Sequence, residues 1–105
     1  MYFLSTIRHL DVPLDDVTRP RLLELLDSTV RPRALTLAPL EAITFYVSDD
    51  GRTMQTLSRF SELEHAREAE RSAQHASNAS AIETLLGITA PREQQVMQLL
   101  RRYER

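Results

Sequence analysis

The sequence predicts an α+β fold whose elements follow one another as strand, helix, strand, strand, helix, strand. The first observation is a hairpin signature within Glu41–Phe60, where two runs of strand composition flank Asp49, Asp50 and Gly51. Glycine after aspartate is typical of short hairpin turns because glycine tolerates positive φ. The second observation is that both faces of this hairpin carry apolar side chains, which predicts helices on one face and a second subunit on the other.

The first strand is predicted over Tyr2 to Leu10, where Tyr, Phe, Ile and Thr dominate. Alternation along this strand creates two faces. One face carries Phe3, Ser5, Ile7 and His9, and the other carries Tyr2, Leu4, Thr6 and Arg8. Pro13 ends the strand because it has no N–H to donate to a neighbouring strand.

The first helix is predicted to begin at Thr18, a suitable N-cap, with Pro20 in the first turn where a missing N–H costs no hydrogen bond. An apolar stripe at helical spacing follows, formed by Leu22, Leu23, Leu25, Leu26 and Val30. Pro32 is predicted to end the helix, because the residue before a proline disfavours helical backbone angles. A semi-extended connection from Leu35 to Leu40 then leads into the hairpin.

The hairpin register depends on the length of its loop. A two-residue loop at Asp50-Gly51 pairs Val47 with Met54, Phe45 with Thr56 and Ile43 with Ser58. A three-residue loop with a glycine bulge moves the pairing by one residue, and the sequence leaves both registers open.

The second helical region is predicted to begin at the capping box Ser61-Glu62-Leu63-Glu64. Its alanines, at spacings of three and four, predict close packing on the sheet, with a bordering pocket as the alternative. They are Ala66, Ala69, Ala73 and Ala76. The residues Ser77–Ser80 are predicted to interrupt the helix, and a second capping box at Ser80 opens a short helix that stops at Gly87.

The C-terminal segment, residues 94–103, fits two interpretations. Val96, Leu100 and Tyr103 have helical spacing, whereas Met97, Leu99 and Tyr103 share one face of a strand, and periodicity does not separate such short runs. An unpaired edge on the first strand favours a fourth strand at about Gln94 to Tyr103. The result is one ferredoxin-like domain over residues 1–105, with an antiparallel sheet and two main helices on one of its faces.

Composition excludes several classes of function. The net charge is −2, with 13 basic residues that are all Arg, so there is no basic patch for nucleic acid or for an anionic membrane. Without cysteine the chain has no disulfide, thiolate nucleophile or sulfur-ligated metal. No apolar run approaches the ~20 residues of a membrane span, and the N-terminus lacks a signal-peptide pattern. These features predict a soluble cytoplasmic protein without a metal or a recognisable cofactor site.

Two passages, LAPLEAITFYVSDDGRT and LSRFSELEHAREAERS, together with the order of elements, resemble the dimeric α+β barrel superfamily. Within it the chain is similar to the antibiotic-biosynthesis-monooxygenase-like proteins. The resemblance implies a homodimer that pairs two sheets face to face. It also implies an aromatic or haem substrate between helices and sheet in the active members. Oxygenase-active relatives carry Asn on the third strand and Trp four residues later, positions that correspond here to Thr56 and Phe60. The chain contains no Trp.

This resemblance implies a cofactor-independent monooxygenase-like protein that acts on a small aromatic or quinol substrate. The alternative is a non-catalytic dimeric module of the same fold that binds a small ligand or a partner. A pocket between the second helix and the sheet favours the enzyme, whereas alanines packed flush on the strands favour the module.

The candidate catalytic residues are His65, His75 and Arg59. Histidine titrates near neutral pH and can act as a base, and haem-degrading relatives use a His on this helix. Ten residues separate the two histidines, roughly 15 Å along an ideal helix, so they cannot share one metal. Each also fits a solvated helix position. Arg59 is predicted to converge with Arg8 on a ligand oxygen, or else to pair with Glu41 or Glu62. The predicted substrate-binding residues are Phe60, Tyr46, Thr56 and Arg8.

Overall fold

A computed structural model of the chain describes residues 1–37 and 39–105. The strands are β1 (Tyr2–His9), β2 (Ala42–Val47), β3 (Thr53–Phe60) and β4 (Glu93–Gln98). The helices are α1 (Thr18–Leu25), α2 (Arg31–Ala34), α3 (Leu63–Arg71) and α4 (Ala73–Leu86), and a π-turn (Leu26–Val30) joins α1 to α2. The strands lie in the order β2-β3-β1-β4, and each neighbouring pair is antiparallel. The predicted α+β, ferredoxin-like arrangement is confirmed.

The sheet has a helix-covered face and a second face, which we call the distal face. Leu4, Thr6 and Arg8 of β1 are buried beneath the helices, in agreement with the predicted alternation. The distal face follows from the same alternation and the strand register. Its members are Phe3, Ser5, Ile7, Ala42, Thr44, Tyr46, Gln55, Leu57, Arg59, Gln95 and Met97. In the part of the chain that the structure describes, no helix is long and apolar enough to span a membrane.

The hairpin has the register of the two-residue loop, with Val47 opposite Met54 and Ile43 opposite Ser58. The loop is nevertheless longer than predicted, because Ser48 N donates to Thr53 O at 2.8 Å and encloses residues 49–52. Adding one residue on each side of a turn leaves the register unchanged. Gly51 has φ +73°, and its carbonyl accepts a hydrogen bond from Leu14 N at 2.8 Å. A Cβ at Gly51 would lie 3.1 Å from Leu14 N, so this position requires glycine.

Helix α1 begins at Thr18 as predicted, but its cap is a different residue. Asp15 Oδ1 accepts hydrogen bonds from the backbone N–H groups of Val17 and Thr18, at 3.1 and 2.7 Å. These bonds lower the pKa of the Asp15 carboxyl, the bonds from Thr18 most of all. The prediction that Thr18 caps the helix with its own side chain is therefore wrong.

Pro32 does not end the helical segment, contrary to prediction. Arg31 N donates to Leu26 O across the wider π-turn, Pro32 lies in the first turn of α2, and Leu35 N donates to Arg31 O at 3.0 Å. In a regular α-helix the proline ring collides with the carbonyl four residues earlier, and the wider turn relieves that collision.

The connection after α2 is turned rather than semi-extended. Leu37 N donates to Ala34 O at 3.1 Å, and Leu40 N donates to Leu37 O at 3.0 Å. Residue 38, which falls within this predicted connection, lies outside the described residues. Leu37 and Leu40 pack against the core beneath α3.

The second helical region breaks earlier than predicted. No side chain of a described residue caps α3, so the predicted capping box at Ser61 is not formed. The break is at Ser72, whose backbone is extended (ψ 141°) and whose Oγ accepts from His75 N at 3.0 Å. From there α4 continues through Ser77–Ser80, because packing of Asn78 and Ala79 against the core outweighs their local preferences. Gly87, with φ +66°, ends the helix as predicted.

The alanines of this region fall into two environments because the chain changes direction at Ser72. Ala66 and Ala69 on α3 are buried with Leu4 and Phe60. Ala73 is exposed at the start of α4. The predicted close packing therefore holds for α3 and is wrong for Ala73.

Strand β4 forms, but it ends at Gln98 and not at Tyr103. Gln98 lies opposite Tyr2, the first residue of β1, so the ladder has no further partner residue there. Leu99 N makes one more bond, to Met1 O at 3.0 Å. Beyond it Leu100 and Tyr103 are 95% and 83% exposed, because no neighbouring strand continues beside them.

Candidate functional site

A cavity lies between the sheet and the helices, at the junction of two hydrophobic clusters. One cluster packs α1, the π-turn and α4 on the sheet and includes Val30 and Ile82. The other packs α3 on the sheet and includes Phe60 and Ala69. Side chains of both clusters line the cavity, whose space open to the centres of water molecules is about 100 Å³. The cavity is partly open to solvent, and it corresponds to the alternative to the predicted close packing, namely a pocket that borders the alanines.

Most of the cavity wall is apolar. Phe60, the last residue of β3, is fully buried and forms part of the floor, because even-numbered residues of β3 face the helices. The other apolar residues of the wall are Val30, Ala34, Leu37, Leu40, Ile43, Phe45, Ala69, Ala79 and Ile82. An apolar wall with a few polar groups is typical of a site for a small organic molecule.

Arg8 supplies a positive charge at the floor of the cavity. It is 2% exposed, its Nη1 donates to Thr56 Oγ1 at 3.2 Å, and its Nε lies 3.4 Å from Glu83 Oε2. Burial lowers the pKa of Arg8, and the carboxylate of Glu83 opposes that shift. Because arginine is not deprotonated in proteins, the guanidinium stays charged.

Glu83 on α4 is shared by two arginines. Arg92 Nη1 lies 2.8 Å from Glu83 Oε1 and 2.9 Å from Oε2, whereas Arg8 reaches the same carboxylate from β1. One carboxylate between two guanidinium groups leaves this end of the cavity with a net positive charge. The arrangement can stabilise a ligand oxygen that becomes negative.

His75 faces the same cavity from the first turn of α4. Its Nε2 contacts Gln94 Nε2 on β4, which holds the ring in place. Burial lowers the pKa of His75, and the charges of Arg92 and Arg8 lower it further, against the opposing effect of Glu83. His75 is therefore neutral at pH 7. Because the Gln94 amide engages Nε2, the neutral imidazole can accept a proton from a bound molecule at Nδ1 when the amide oxygen of Gln94 faces Nε2–H.

Asn78 lies one helical turn after His75 and is 8% exposed. Its Oδ1 is buried and has no hydrogen-bond partner among residues 1–37 and 39–105. Buried polar atoms without a partner are rare in folded proteins and costly. Asn78 also lines the cavity, so a rotation of its side-chain amide would bring this oxygen within reach of a group bound there.

The structure brings together four of the predicted site residues, namely Arg8, Thr56, Phe60 and His75, around this one cavity. It places the other three elsewhere. His65 is on the outer side of α3, where its Nε2 lies 3.7 Å from Glu62 Oε2.

Arg59 and Tyr46 lie on the distal face of the sheet. Arg59 precedes Phe60 on β3, and adjacent strand residues point to opposite faces, so the predicted convergence of Arg59 with Arg8 is wrong. Arg59 Nε instead lies 3.9 Å from Glu41 Oε1, which is the predicted alternative pairing. Tyr46 is 52% exposed on the same face.

The sequence interpretation missed Asn78, Glu83, Arg92 and Gln94. Asn78 follows His75 by three residues, a spacing that places both on one helix face. Because a break was predicted at Ser77–Ser80, this helical spacing of His75 and Asn78 was not considered. Among the described residues, no three His, Asp or Glu side chains are grouped so that they could hold a metal ion.

No protein-family model matches the chain, and no curated protein matches its sequence. Solved structures do match its fold. A monooxygenase of Streptomyces coelicolor in complex with nanaomycin D aligns with a TM-score of 0.76 and 17% identity, over 99% of this chain and 91% of that one. A dimeric ferredoxin-like protein of Bacteroides fragilis aligns at 0.65 and 8% identity, over 93% and 95% of the two chains. An antibiotic biosynthesis monooxygenase aligns at 0.65 and 9% identity, over 96% and 100%. The chain thus has the ferredoxin-like fold that antibiotic biosynthesis monooxygenases share.

Proposed function

We propose that this protein is a cofactor-independent monooxygenase-like enzyme that oxidises a small aromatic or quinol substrate in the cavity between helices and sheet. The observation that carries the proposal is the pairing of a neutral imidazole, His75, with a buried cation, Arg8, in one largely apolar cavity. The similarity in fold to monooxygenases, one of them in complex with nanaomycin D, supports the same activity.

The chemistry follows from these two groups. His75 accepts a proton from an acidic C–H or O–H of the substrate, and the Arg8 guanidinium stabilises the oxyanion that results. The electron-rich anion then reacts with dioxygen. For 1-naphthol, the C4–H carbon becomes C=O with one oxygen atom of O₂, the phenol becomes the second C=O, and the other oxygen leaves as water with the two hydrogens. The substrate supplies all the electrons, so the balance needs no other reductant.

Phe60 and Thr56 stand where oxygenase-active relatives carry Trp and Asn. Phe60 offers an aromatic surface to the substrate, and Thr56 accepts a hydrogen bond from Arg8 rather than contacting a substrate oxygen through an amide. We therefore assign the charge stabilisation to Arg8 and the proton transfer to His75.

The test is oxygen uptake by the purified protein with 1-naphthol and 1,4-naphthohydroquinone. His75→Gln should lower the rate at least ~100-fold, because a positioned general base contributes about 10²–10⁴. His65→Gln is the matched control, since His65 lies on the outer side of α3, and Arg59→Gln controls for a cation on the distal face. Both controls should keep the wild-type rate. Equal losses in His75→Gln and His65→Gln would refute the assignment.

A non-catalytic ligand-binding module is the second candidate, and the absence of Trp from the chain favours it. The cavity would then hold a small aromatic molecule without oxidising it. Binding of 1-naphthol without any oxygen uptake across the panel would establish this function in place of the first.

We further propose that the protein assembles as a homodimer through the distal face. Phe3, Ile7 and Leu57 on that face are only half-buried, and Tyr46 and Met97 are 52% and 43% exposed. A contiguous apolar patch of this kind marks an interaction surface. A second copy of the same sheet offers the same apolar side chains, and the Bacteroides fragilis protein of this fold is dimeric.

A further inference from the structure

Burying the amide oxygen of Asn78 costs free energy of folding, and the proposed proton transfer does not explain why this oxygen is buried. Its amide oxygen is buried beside the cavity and has no partner among the described residues. The neighbouring polar groups are engaged with one another: Thr56 with Arg8, and Gln94 with His75. A group that donates a hydrogen bond from within the cavity would remove the cost of the unpaired oxygen.

The size of the cavity limits which molecule can supply that donor. Its space of about 100 Å³ is smaller than a cavity of about 150 Å³ that encloses benzene, so a single aromatic ring already takes up the enclosed part. A second fused ring therefore extends through the open side of the cavity. The apolar wall, with Phe60 at its floor, favours a flat aromatic skeleton over a polar one.

The positions of the polar groups indicate where the substrate needs its own polar atoms. His75 and Asn78 are neighbours on one face of α4, roughly 5–6 Å apart at their Cβ atoms, and Arg8 lies across the cavity on β1. The reacting oxygen belongs near His75 and Arg8. A separate hydroxyl is required to reach Asn78.

We propose that Asn78 is a substrate-binding residue that accepts a hydrogen bond from a second hydroxyl group, and that the substrate is a one- or two-ring aromatic with at least two hydroxyl groups. This inference rests on the proposed function, because it takes the reacting group to lie at His75 and Arg8. In this proposal Asn78 selects among substrates and takes no part in the reaction.

The experiment compares 1-naphthol with dihydroxynaphthalenes that add a hydroxyl at position 3, 5, 6 or 7. Binding is measured by isothermal titration under anaerobic conditions, so that the quinols are not oxidised. At least one isomer should bind about tenfold or more tightly than 1-naphthol, which corresponds to about 1.4 kcal/mol. In Asn78→Leu, a change of similar size that removes the acceptor, this gain should fall to about twofold or less.

The control is Thr84→Leu, which replaces a polar residue by leucine at an exposed position of the same helix. Thr84 is not among the residues that line the cavity, so this variant should keep the gain from the second hydroxyl. Because the gain is a ratio within one protein, a general loss of stability does not change it.

The outcomes separate this inference from the proposed function. If 1-naphthol binds but no isomer gains affinity, or if the gain persists in Asn78→Leu, the role of Asn78 is overturned while the proposed function stands. If the wild type binds neither 1-naphthol nor any of the four isomers, the cavity is not an aromatic site and both are overturned.

Discussion

Replacing Glu83 by Gln should destabilise the protein markedly, because it removes the charge that Arg8 and Arg92 share. At a charge separation near 4 Å and an effective dielectric constant of about 20, one such pair is worth ~4 kcal/mol. Arg8 is 2% exposed and cannot recover this interaction from water, whereas Arg92, at 25%, recovers part of it. Glutamine keeps one acceptor oxygen. We therefore expect a loss of about 2–4 kcal/mol in the free energy of unfolding.

Urea denaturation measures this loss, since the midpoint should fall while the slope stays the same. Glu93→Gln is the matched control: its carboxylate is 68% exposed, lies 3.5 Å from His9 Nε2, and should contribute less than about 1 kcal/mol. Adding Arg8→Met to the Glu83→Gln variant should recover part of the loss, because it removes the unpaired buried cation. Two results would refute the reasoning. One is an equal loss of unfolding free energy in Glu83→Gln and Glu93→Gln. The other is a Glu83→Gln/Arg8→Met double variant that loses as much as the two single variants together.

Three further predictions concern assembly, packing and pH. Tyr46→Glu should convert the dimer into a monomer in sedimentation equilibrium, because it places an unpaired charge in the sheet-to-sheet interface. Val12→Glu, on an exposed loop, should leave the dimer intact. A monomeric wild type at micromolar concentration would disprove the dimer. Ala66→Leu should lower the free energy of unfolding by about 1–3 kcal/mol through overpacking. Ala73→Leu, at an exposed position, should lower it by less than about 0.5 kcal/mol. Similar thermal melts of the two variants would contradict the close packing of α3. The pKa of His75 is lowered in the folded state, so below about 6.5 the unfolded chain binds more protons, and the free energy of unfolding should fall as pH drops through that range. His75→Gln should remove this part of the slope between pH 5 and 8, and an unchanged slope would show that His75 is not buried in its neutral form.

The strand faces could be predicted from the sequence because they depend on a local period of two, whereas the hairpin register depends on the length of its loop, which the sequence leaves open. Alternation alone placed Arg8 on the same face as Leu4 and Thr6, and it also separates Arg59 from Phe60. Grouping Arg59 with Phe60 by their adjacency in sequence ignored that same rule. The length of β4 depended on something less local, namely where its partner β1 begins.

The helix breaks and the polar contacts of the cavity could not be read from local pattern. Ser72 and Ser80 both begin plausible capping sequences, and packing against the sheet decides that only the first is a break. The contact between Arg8 and Glu83 joins residues 75 positions apart, and no spacing rule links them. The position of Asn78 beside the cavity requires α4 to continue through Ser77–Ser80, where the sequence predicted a break.

The π-turn at Leu26–Val30 makes the number of residues in this stretch as important as their identity. Winding the same number of residues as a regular α-helix would rotate every later residue by about 100° around the helix axis. Ala34 would turn away from the cavity that it lines, and the ring of Pro32 would meet the carbonyl four residues earlier. Surface loops absorb insertions and deletions at little cost. Here the extra residue in the wide turn decides which side chains of α2 face the cavity.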